Sequence, residues 1–586
     1  MSAVAAGALA AVPNRRDFAF SADGVRAAWI VDDTVEWADD ASGTTGRFTS
    51  GGPLPSGTHL ELVSPGCVGV CRSSDSGVEL ARIEIDGAVP ASRLLASFVT
   101  PRSCLLPRVP GDSGQLLAVT RFDDTTTMYR IDWVGGVVSE TGRLPFPVTG
   151  GVWIAPGSTL ALNLLGPQGR SSVYRVDLAA EQFGLLMESS PDNEDRAVLF
   201  DRSSGYLVLT TDAPGYPAVG VARLDRKERV RFFPALSPGD EAGVPLAFAT
   251  HRGRRQIVLR HEEGTWARLR LADPETLEIS SPLPVPDGEV NGPVAVTGEV
   301  LRFAYSAPDL PWCAARFHLD GSGFTLDAAA CGAFRTGRAM TLPSPSGPMP
   351  ALVLTPTESN RVAVVMLHGG PIARHGGGFS PEAQLFAALG CTVVALDYPG
   401  STGWGQSHMR ALFGAAGTID VDAVAGVVDR LAGEGHEVVL YGESYGAFLA
   451  LATAAVRPCA GIVAFAPFAS FERLYRYGTP EVREVLELLD GGNSDDTGRN
   501  VLEVCRIIRS KVLIAHGTAD RTIPVAESRL LVEALRERNG AGEGTVRFVE
   551  LEGQGHELTS RNQIHSWYRE IAHFVGGLPE PRSPAR

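Results

Sequence analysis

Seven short apolar strands, each closing on an aspartate, recur through the first half of the chain. They are VEWAD ending at Asp39, ARIEID at Asp86, YRID at Asp132, YRVD at Asp177, VARLD at Asp225, LRLAD at Asp273 and RFHLD at Asp320, at intervals of 47, 46, 45, 48, 48 and 47 residues. An arginine stands just upstream of the aspartate in six of the seven. Further strand-like stretches precede the copies, such as VWIAPGSTLALNLL and AVLFDRSSGYLVLT, with β-branched and apolar residues around a Ser/Gly/Asp turn. A unit of this length with several short strands suits a propeller blade. Helical repeats of the same period need amphipathic runs of roughly 10–15 residues, which this segment lacks. Seven copies predict a seven-bladed β-propeller over residues 16–335. The recurring aspartate is read as a turn residue after each third strand, not as a calcium ligand.

From about residue 336 the pattern changes to strand–helix alternation. VAVVMLHG (362–369), CTVVALDY (391–398), EVVLYGES (437–444), GIVAFAP (461–467) and KVLIAHG (511–517) are continuous apolar runs, as expected of strands buried on both faces of a parallel sheet. Helical patterns lie between them, and a last one runs near 560–576. The expectation is an open α/β sheet over 336–586, preceded by the propeller and by an N-terminal extension over 1–15.

Composition narrows the function classes. Lys+Arg number 52 against 67 Asp+Glu, a net charge of −15, so the chain has no overall attraction for nucleic acid or anionic lipid. No apolar run approaches the roughly 18 residues that span a bilayer. The eight cysteines are scattered, with no CxxC pair and no Cys/His cluster at zinc spacing, which reads as reduced thiols in a cytoplasmic protein without a metal. The apolar segment 3–12 precedes Arg15-Arg16, the reverse of a secretory signal's order, and reads as a docked or frayed terminus; a twin-arginine export signal stays open.

GESYG (442–446) stands where the strand EVVLY meets the apolar helix pattern YGAFLALATAAV, the setting of a G-x-S-x-G nucleophile elbow with Ser444 as nucleophile. In the α/β-hydrolase order of serine, acid, histidine, Asp520 follows the strand KVLIAHG and His556 follows VRFVELEGQG. His565 and His573 fall in the final helix pattern and read as surface residues; His516 shapes the Asp520 loop. Two backbone donors are needed for an oxyanion. Tyr445 supplies one, and Gly370 in His368-Gly369-Gly370-Pro371 the other, with Gly369 as the alternative. His368 braces that loop. The glycine run at 375–378 lacks the Gly-Lys-Ser/Thr of a phosphate cradle and reads as a flexible loop.

HGGP, DYPGSTGWG (397–405), GESYG, HGTADRTIP and EGQGHE in this order, behind a propeller, resemble the prolyl oligopeptidase family of serine peptidases. The HGGP and GSTGWG segments are similar to its acylaminoacyl peptidase branch. The resemblance implies cleavage of short peptides under a capping propeller, and Ser444, Asp520 and His556 match the family triad. It also implies an acyl-side pocket from Phe468, Phe471, Tyr475 and Ile523, whose apolar walls favour apolar residues. Pro399 stands where this branch usually has arginine, and Thr522 where relatives often anchor substrate. The acidic pairs Glu262-Glu263 and Asp240-Glu241 are read as solvated loop charges, not as an anchor for a substrate amino terminus.

The sequence thus predicts a serine peptidase acting on short peptides or acyl-peptides through an acyl-enzyme, with no cofactor, nucleic-acid or membrane partner, and with its oligomeric state open. An esterase, amidase or peptide cyclase using the same triad is the first alternative. A catalytically inert propeller scaffold is the second.

Overall fold

The computed structural model describes residues 15–578 together with Leu9 and Val12, apart from residues 22, 50–53, 55–57, 65, 75–76, 86–89, 101, 109–113, 167–168, 179–181, 188–192, 227–228, 235–242, 328–333, 345–346, 491–499 and 539–544. Asp86, the Asp240-Glu241 pair, Cys331 and most of the 1–15 extension lie outside the described residues.

Seven antiparallel sheets follow one another between Arg15 and Leu326 and form the blades of a β-propeller. Six have four strands; the sixth blade has three described strands plus a single bridge from Ala272 to Ile279. Burial grades across a blade as the pattern demands. In blade three the second strand, Gly114–Thr120, is buried along its whole length. In blade four the outermost strand, Gln182–Met187, is largely exposed.

Four of the repeated aspartates close their third strands by local hydrogen bonds to the backbone. Asp39 Oδ1 accepts from Ala41 and Ser42 N–H, Asp132 Oδ1 from Gly135 N–H, Asp273 Oδ1 from Glu275 and Thr276 N–H, and Asp320 Oδ1 from Ser322 N–H. These are Asx turns, so the sequence repeat is a repeat of turn chemistry.

Apolar cores fill the seams between adjacent blades. Leu116 and Met128 of blade three meet Leu160 and Leu162 of blade four, and Val258 and Leu269 of blade six meet Phe303 and Phe317 of blade seven. The seam that closes the ring, between blades seven and one, is thin: its buried apolar cluster is Phe18, Ala304 and Ala314. Among the described residues no strand is exchanged across it. Arg302 instead donates to Gly24 O (2.8 Å) and pairs with Asp40 (2.9 Å) and Asp327 (2.8 Å), and Arg316 reaches the same two carboxylates.

The second domain is an α/β-hydrolase sheet of eight strands: β1 (Gly337–Leu342), β2 (Met349–Leu354), β3 (Val362–Leu367), β4 (Thr392–Leu396), β5 (Glu437–Glu443), β6 (Gly461–Phe465), β7 (Lys511–Gly517) and β8 (Val546–Leu551). The order is β1-β2-β4-β3-β5-β6-β7-β8, parallel from β4 to β8. Helices cover both faces, each over its own apolar core. The carboxyl ends of the parallel strands carry the candidate site residues Ser444, Asp520 and His556, where open α/β sheets generally gather their sites.

Candidate active site

Strand β5 ends at Glu443 and the helix Tyr445–Val456 begins two residues later, leaving Ser444 alone at the corner with φ 55° and ψ −118°. A non-glycine residue held there costs on the order of 1–3 kcal/mol and persists only where its surroundings over-determine it. Here they do. A Cβ at Gly442 would stand 2.1 Å from Gly446 O, and one at Gly446 would stand 2.1 Å from Leu367 O. Both glycines are demanded by the close crossing of strand, helix and the end of β3. Ser444 N–H donates to Phe465 O (2.9 Å), fixing the corner to β6. Helix geometry leaves the first N–H groups without a carbonyl one turn earlier, so the Tyr445 amide is a donor beside Ser444 at the positive end of the helix dipole.

Asp520 sits in the loop after β7 and His556 in the loop after β8. His556 Nδ1–H donates to Asp520 Oδ2 (2.7 Å). The other carboxylate oxygen accepts from Thr522 and Ile523 N–H, both at 2.9 Å. Burial pushes the Asp520 carboxyl up, but hydrogen bonds from His516 and His556 outweigh it and hold the group at about 2. Asp520 is therefore a fixed anion that orients the His556 ring. His516 is fully buried. Its Nε2–H donates to Ile523 O (2.8 Å) and lies 3.2 Å from Asp520 Oδ2, while Nδ1 takes the Ser528 hydroxyl (2.7 Å).

The His368-Gly369-Gly370 segment leaves β3 beside Ser444: a Cβ at Gly369 would lie 3.4 Å from both Ser444 Cβ and Glu443 O. Gly370 has φ 118°, a conformation open to glycine. The His368 ring contacts Gly369 O and Ser401 Oγ, both at 2.7 Å, and stacks on Tyr398, whose hydroxyl donates to His368 O (2.7 Å). Burial and the neighbouring His375 lower the His368 pKa to about 3, so the ring is a neutral brace.

The four residues expected to line the acyl-side pocket have different environments. Phe468 and Phe471 are buried in an aromatic cluster, with Phe468 stacked on Phe448 (4.7 Å between centroids) and Phe471 edge-on to Tyr445 (6.2 Å). Ile523 is buried in the same core. Tyr475 is 43% exposed, and its hydroxyl donates to Glu487 (2.9 Å). The wall behind Tyr445 is thus aromatic, while Tyr475 lies on the outer surface of the helix Phe471–Tyr477.

His556 and Glu443 also line a cavity of about 250 Å³ against the propeller, with Asp32, Glu382, Glu557 and Tyr568. The Tyr441 hydroxyl donates to Glu443, and the Tyr568 hydroxyl donates to Glu382 Oε1 (2.8 Å). Glu443 opens onto this cavity; desolvation there, and then the Glu382 charge, push its carboxyl up to about 7.

Two sequence expectations are corrected. Glu262 is not a solvated loop charge: it pairs with Arg374 (3.1 Å) of the other domain and accepts from the Thr402 hydroxyl (2.8 Å). The glycine run at 375–378 is not a free loop. Gly377 N–H donates to Glu289 Oε1 (3.0 Å), and a Cβ on Gly377 would stand 2.2 Å from the Trp266 ring, so the glycines let two domains approach. Sequence reasoning also passed over Asp397, which accepts from His375 N–H and Trp404 Nε1–H, both at 2.9 Å. Its only signal was its place in DYPGSTGWG.

Residues 378–578 match the model of the prolyl oligopeptidase family. Dipeptidyl aminopeptidase BIII of Pseudoxanthomonas mexicana is 29% identical over 244 residues, 37% of this chain and 34% of that protein. The chain spans about a third of the length of the curated relatives it matches. A Mycobacterium tuberculosis puromycin-hydrolyzing peptidase superposes with a TM-score of 0.78 at 18% identity, covering 99% of this chain and 97% of that one. Pyrococcus horikoshii acylaminoacyl peptidase superposes with a TM-score of 0.74 at 13% identity, covering 99% and 98%. At these identities the likeness of the structures is one of fold, across both domains.

Proposed function

We propose that this chain, whose α/β domain belongs to the prolyl oligopeptidase family, is a serine peptidase that cleaves short peptides through an acyl-enzyme on Ser444. The observation that carries the reading is the hydrogen-bonded pair of Asp520 and His556 together with an elbow at Ser444 held at positive φ. In this reading His556 Nε2 takes the Ser444 proton as Oγ attacks the scissile carbonyl. The Tyr445 and Gly370 amides receive the oxyanion, and the imidazolium then protonates the leaving amine. Water repeats the sequence to release the acyl group. No step calls on a metal or cofactor, and among the described residues no cluster of three or more His, Cys, Asp or Glu is arranged to hold a metal ion.

The propeller covers the sheet's carboxyl edge and limits substrates to short, flexible peptides. The aromatic wall at Tyr445, Phe468 and Phe471 favours an apolar acyl-side residue, by roughly 1–3 kcal/mol per well-buried side chain. The seven described cysteines are free thiols, which suits a reducing compartment such as the cytoplasm. Among the described residues no helix is long and apolar enough to cross a membrane.

Fluorophosphonate labelling tests the assignment. The wild type should label at one site, and Ser444→Ala should lose the label and, as triad removal does, about 10⁴–10⁶ in kcat while remaining folded. Labelling of Ser444→Ala at the wild-type rate would refute it.

A further inference from the structure

We infer that Arg374 is a positioning residue through which the docked propeller sets the oxyanion loop, so that the Gly370 donor is in place only while blades six and seven are seated. The inference rests on the acyl-enzyme reading above.

Arg374 follows Gly370 by four residues, and its side chain is 5% exposed. Its polar contacts reach into the propeller. Nε lies 3.1 Å from Glu262 Oε2, Nη2–H donates to Glu289 Oε1 (2.6 Å), and Nη1–H donates to Thr265 O (2.7 Å). Arg260 faces the same two glutamates at 2.9 and 4.0 Å, so two cations balance two anions across the domain seam. A buried guanidinium deprived of such partners is strongly unfavourable. Separating the domains therefore cannot leave the Arg374 side chain where it is.

The short stretch between Gly370 and Arg374 transmits that constraint. Ala373 N–H donates to Pro371 O (2.9 Å), and Ala373 O accepts from Thr402 N–H (2.8 Å). Thr402 in turn donates its hydroxyl to Glu262, the carboxylate that faces Arg374. Gly369 and Gly370 have no side chains with which to hold themselves in place, so the loop is set by its two flanks. The hydrolase fixes the leading flank through His368, Tyr398 and Ser401; the propeller fixes the trailing flank through Glu262, Glu289 and Thr265.

The test uses the whole chain, with p-nitrophenyl butyrate as substrate and n-butylboronic acid as a tetrahedral analogue that calls on the oxyanion donors. Full loss of one such donor costs roughly 10²–10³ in kcat. A misplaced donor in Arg374→Met should cost about 10-fold in kcat, with KM changed less than about twofold and the boronate Ki raised by the same factor as kcat falls. Glu289→Gln, on the other domain, should move kcat and Ki in the same direction, and Arg374→Lys should recover part of both. Wild-type kcat and Ki in Arg374→Met would overturn the inference, as would a loss carried by KM alone. If Arg374→Met does not fold, Glu262→Gln and Thr402→Val are read by the same criteria. A wild type that neither hydrolyses the ester nor takes the fluorophosphonate would sink the acyl-enzyme reading and this inference with it; an active wild type with indifferent variants sinks only the inference.

Discussion

Replacing Arg302 by methionine should open the propeller at its closing seam. The other seams bury mostly aliphatic side chains from both blades, whereas the seam between blades seven and one, among the described residues, buries only Phe18, Ala304 and Ala314, with Phe20, Trp29 and Trp312 partly buried against them. The polar clasp carries what that small core does not. Arg302 is 2% exposed and joins the chain's first blade, through Gly24 O and Asp40, to Asp327 in its last. Removing one partner of a buried ion pair costs about 3–5 kcal/mol. Arg316 stays in contact with both carboxylates and offsets part of the loss, so about 2–4 kcal/mol is expected. Unfolding entropy near 2.1 cal/mol/K per residue, over the roughly 310 residues between Arg15 and Leu326, gives about 0.65 kcal/mol/K and a drop of about 3–6 °C in the propeller transition. Scanning calorimetry, repeated at several scan rates because a two-domain chain need not melt in one step, reads this out. Arg316→Met is the control: its side chain is 29% exposed, and exposed pairs contribute at most about 1 kcal/mol. A propeller transition unmoved by Arg302→Met, or moved as far by Arg316→Met, would refute the account of how the ring closes.

Asp520→Asn should leave the fold intact but lower turnover and fluorophosphonate labelling about 10⁴-fold, since the amide no longer enforces the His556 tautomer; labelling within tenfold of wild type would contradict this. The Asp520 carboxyl is depressed to about 2, so the hydrogen bonds to its anion stabilise the wild type fully above the unfolded value near 4 and are lost as pH falls through 2; acid-unfolding curves of the wild type and the asparagine variant should converge over that window. Glu443 has the opposite sign. Its raised pKa means that ionisation burdens the folded state, an effect absent below the unfolded value near 4.5 and complete above about 7. Glu443→Gln should therefore raise Tm at pH 8 and leave it nearly unchanged at pH 4, and equal shifts at the two pH values would dismiss the effect.

What could be read from the sequence follows the range of the interactions involved. The propeller was legible because its repeated aspartates are short-range features, four of them forming Asx turns whose donors lie two or three residues away, as at Asp132 and Asp273. The elbow was legible because G-x-S-x-G stands at a strand–helix junction, where Gly442 answers to the crossing of strand and helix and Gly446 to the helix's approach to the end of β3. Asp520 and His556 are 36 residues apart, yet the sheet order places the ends of β7 and β8 side by side, so chain order sufficed to pair them. The aromatic residues after β6 were harder. Phe471 and Tyr475 share one short helix, and the sequence gives no sign that the first turns into the core while the second turns out to Glu487.

The domain seam was illegible for a different reason. Glu262 and Thr402 are 140 residues apart, and Glu289 and Arg374 are 85 apart. A glutamate or arginine in a loop looks the same in sequence whether it is solvated or meets its partner across a domain boundary. Yet the contacts at this seam differ in kind from the cores on either side of it. They include ion pairs, backbone carbonyls and glycine approaches, such as Gly264 N–H to Gly403 O at 2.8 Å, beside the ring of Trp266, which packs against the hydrolase core. Polar contacts of this sort are directional, and water can satisfy them once the surfaces part, so they fix orientation while adding less adhesion than apolar burial of equal area. A seam built this way lets two domains separate and return to one register. On the proposed peptidase reading a chamber that admits short peptides needs such a seam, and the inferred anchoring of the Gly370 loop through Arg374 follows the same logic.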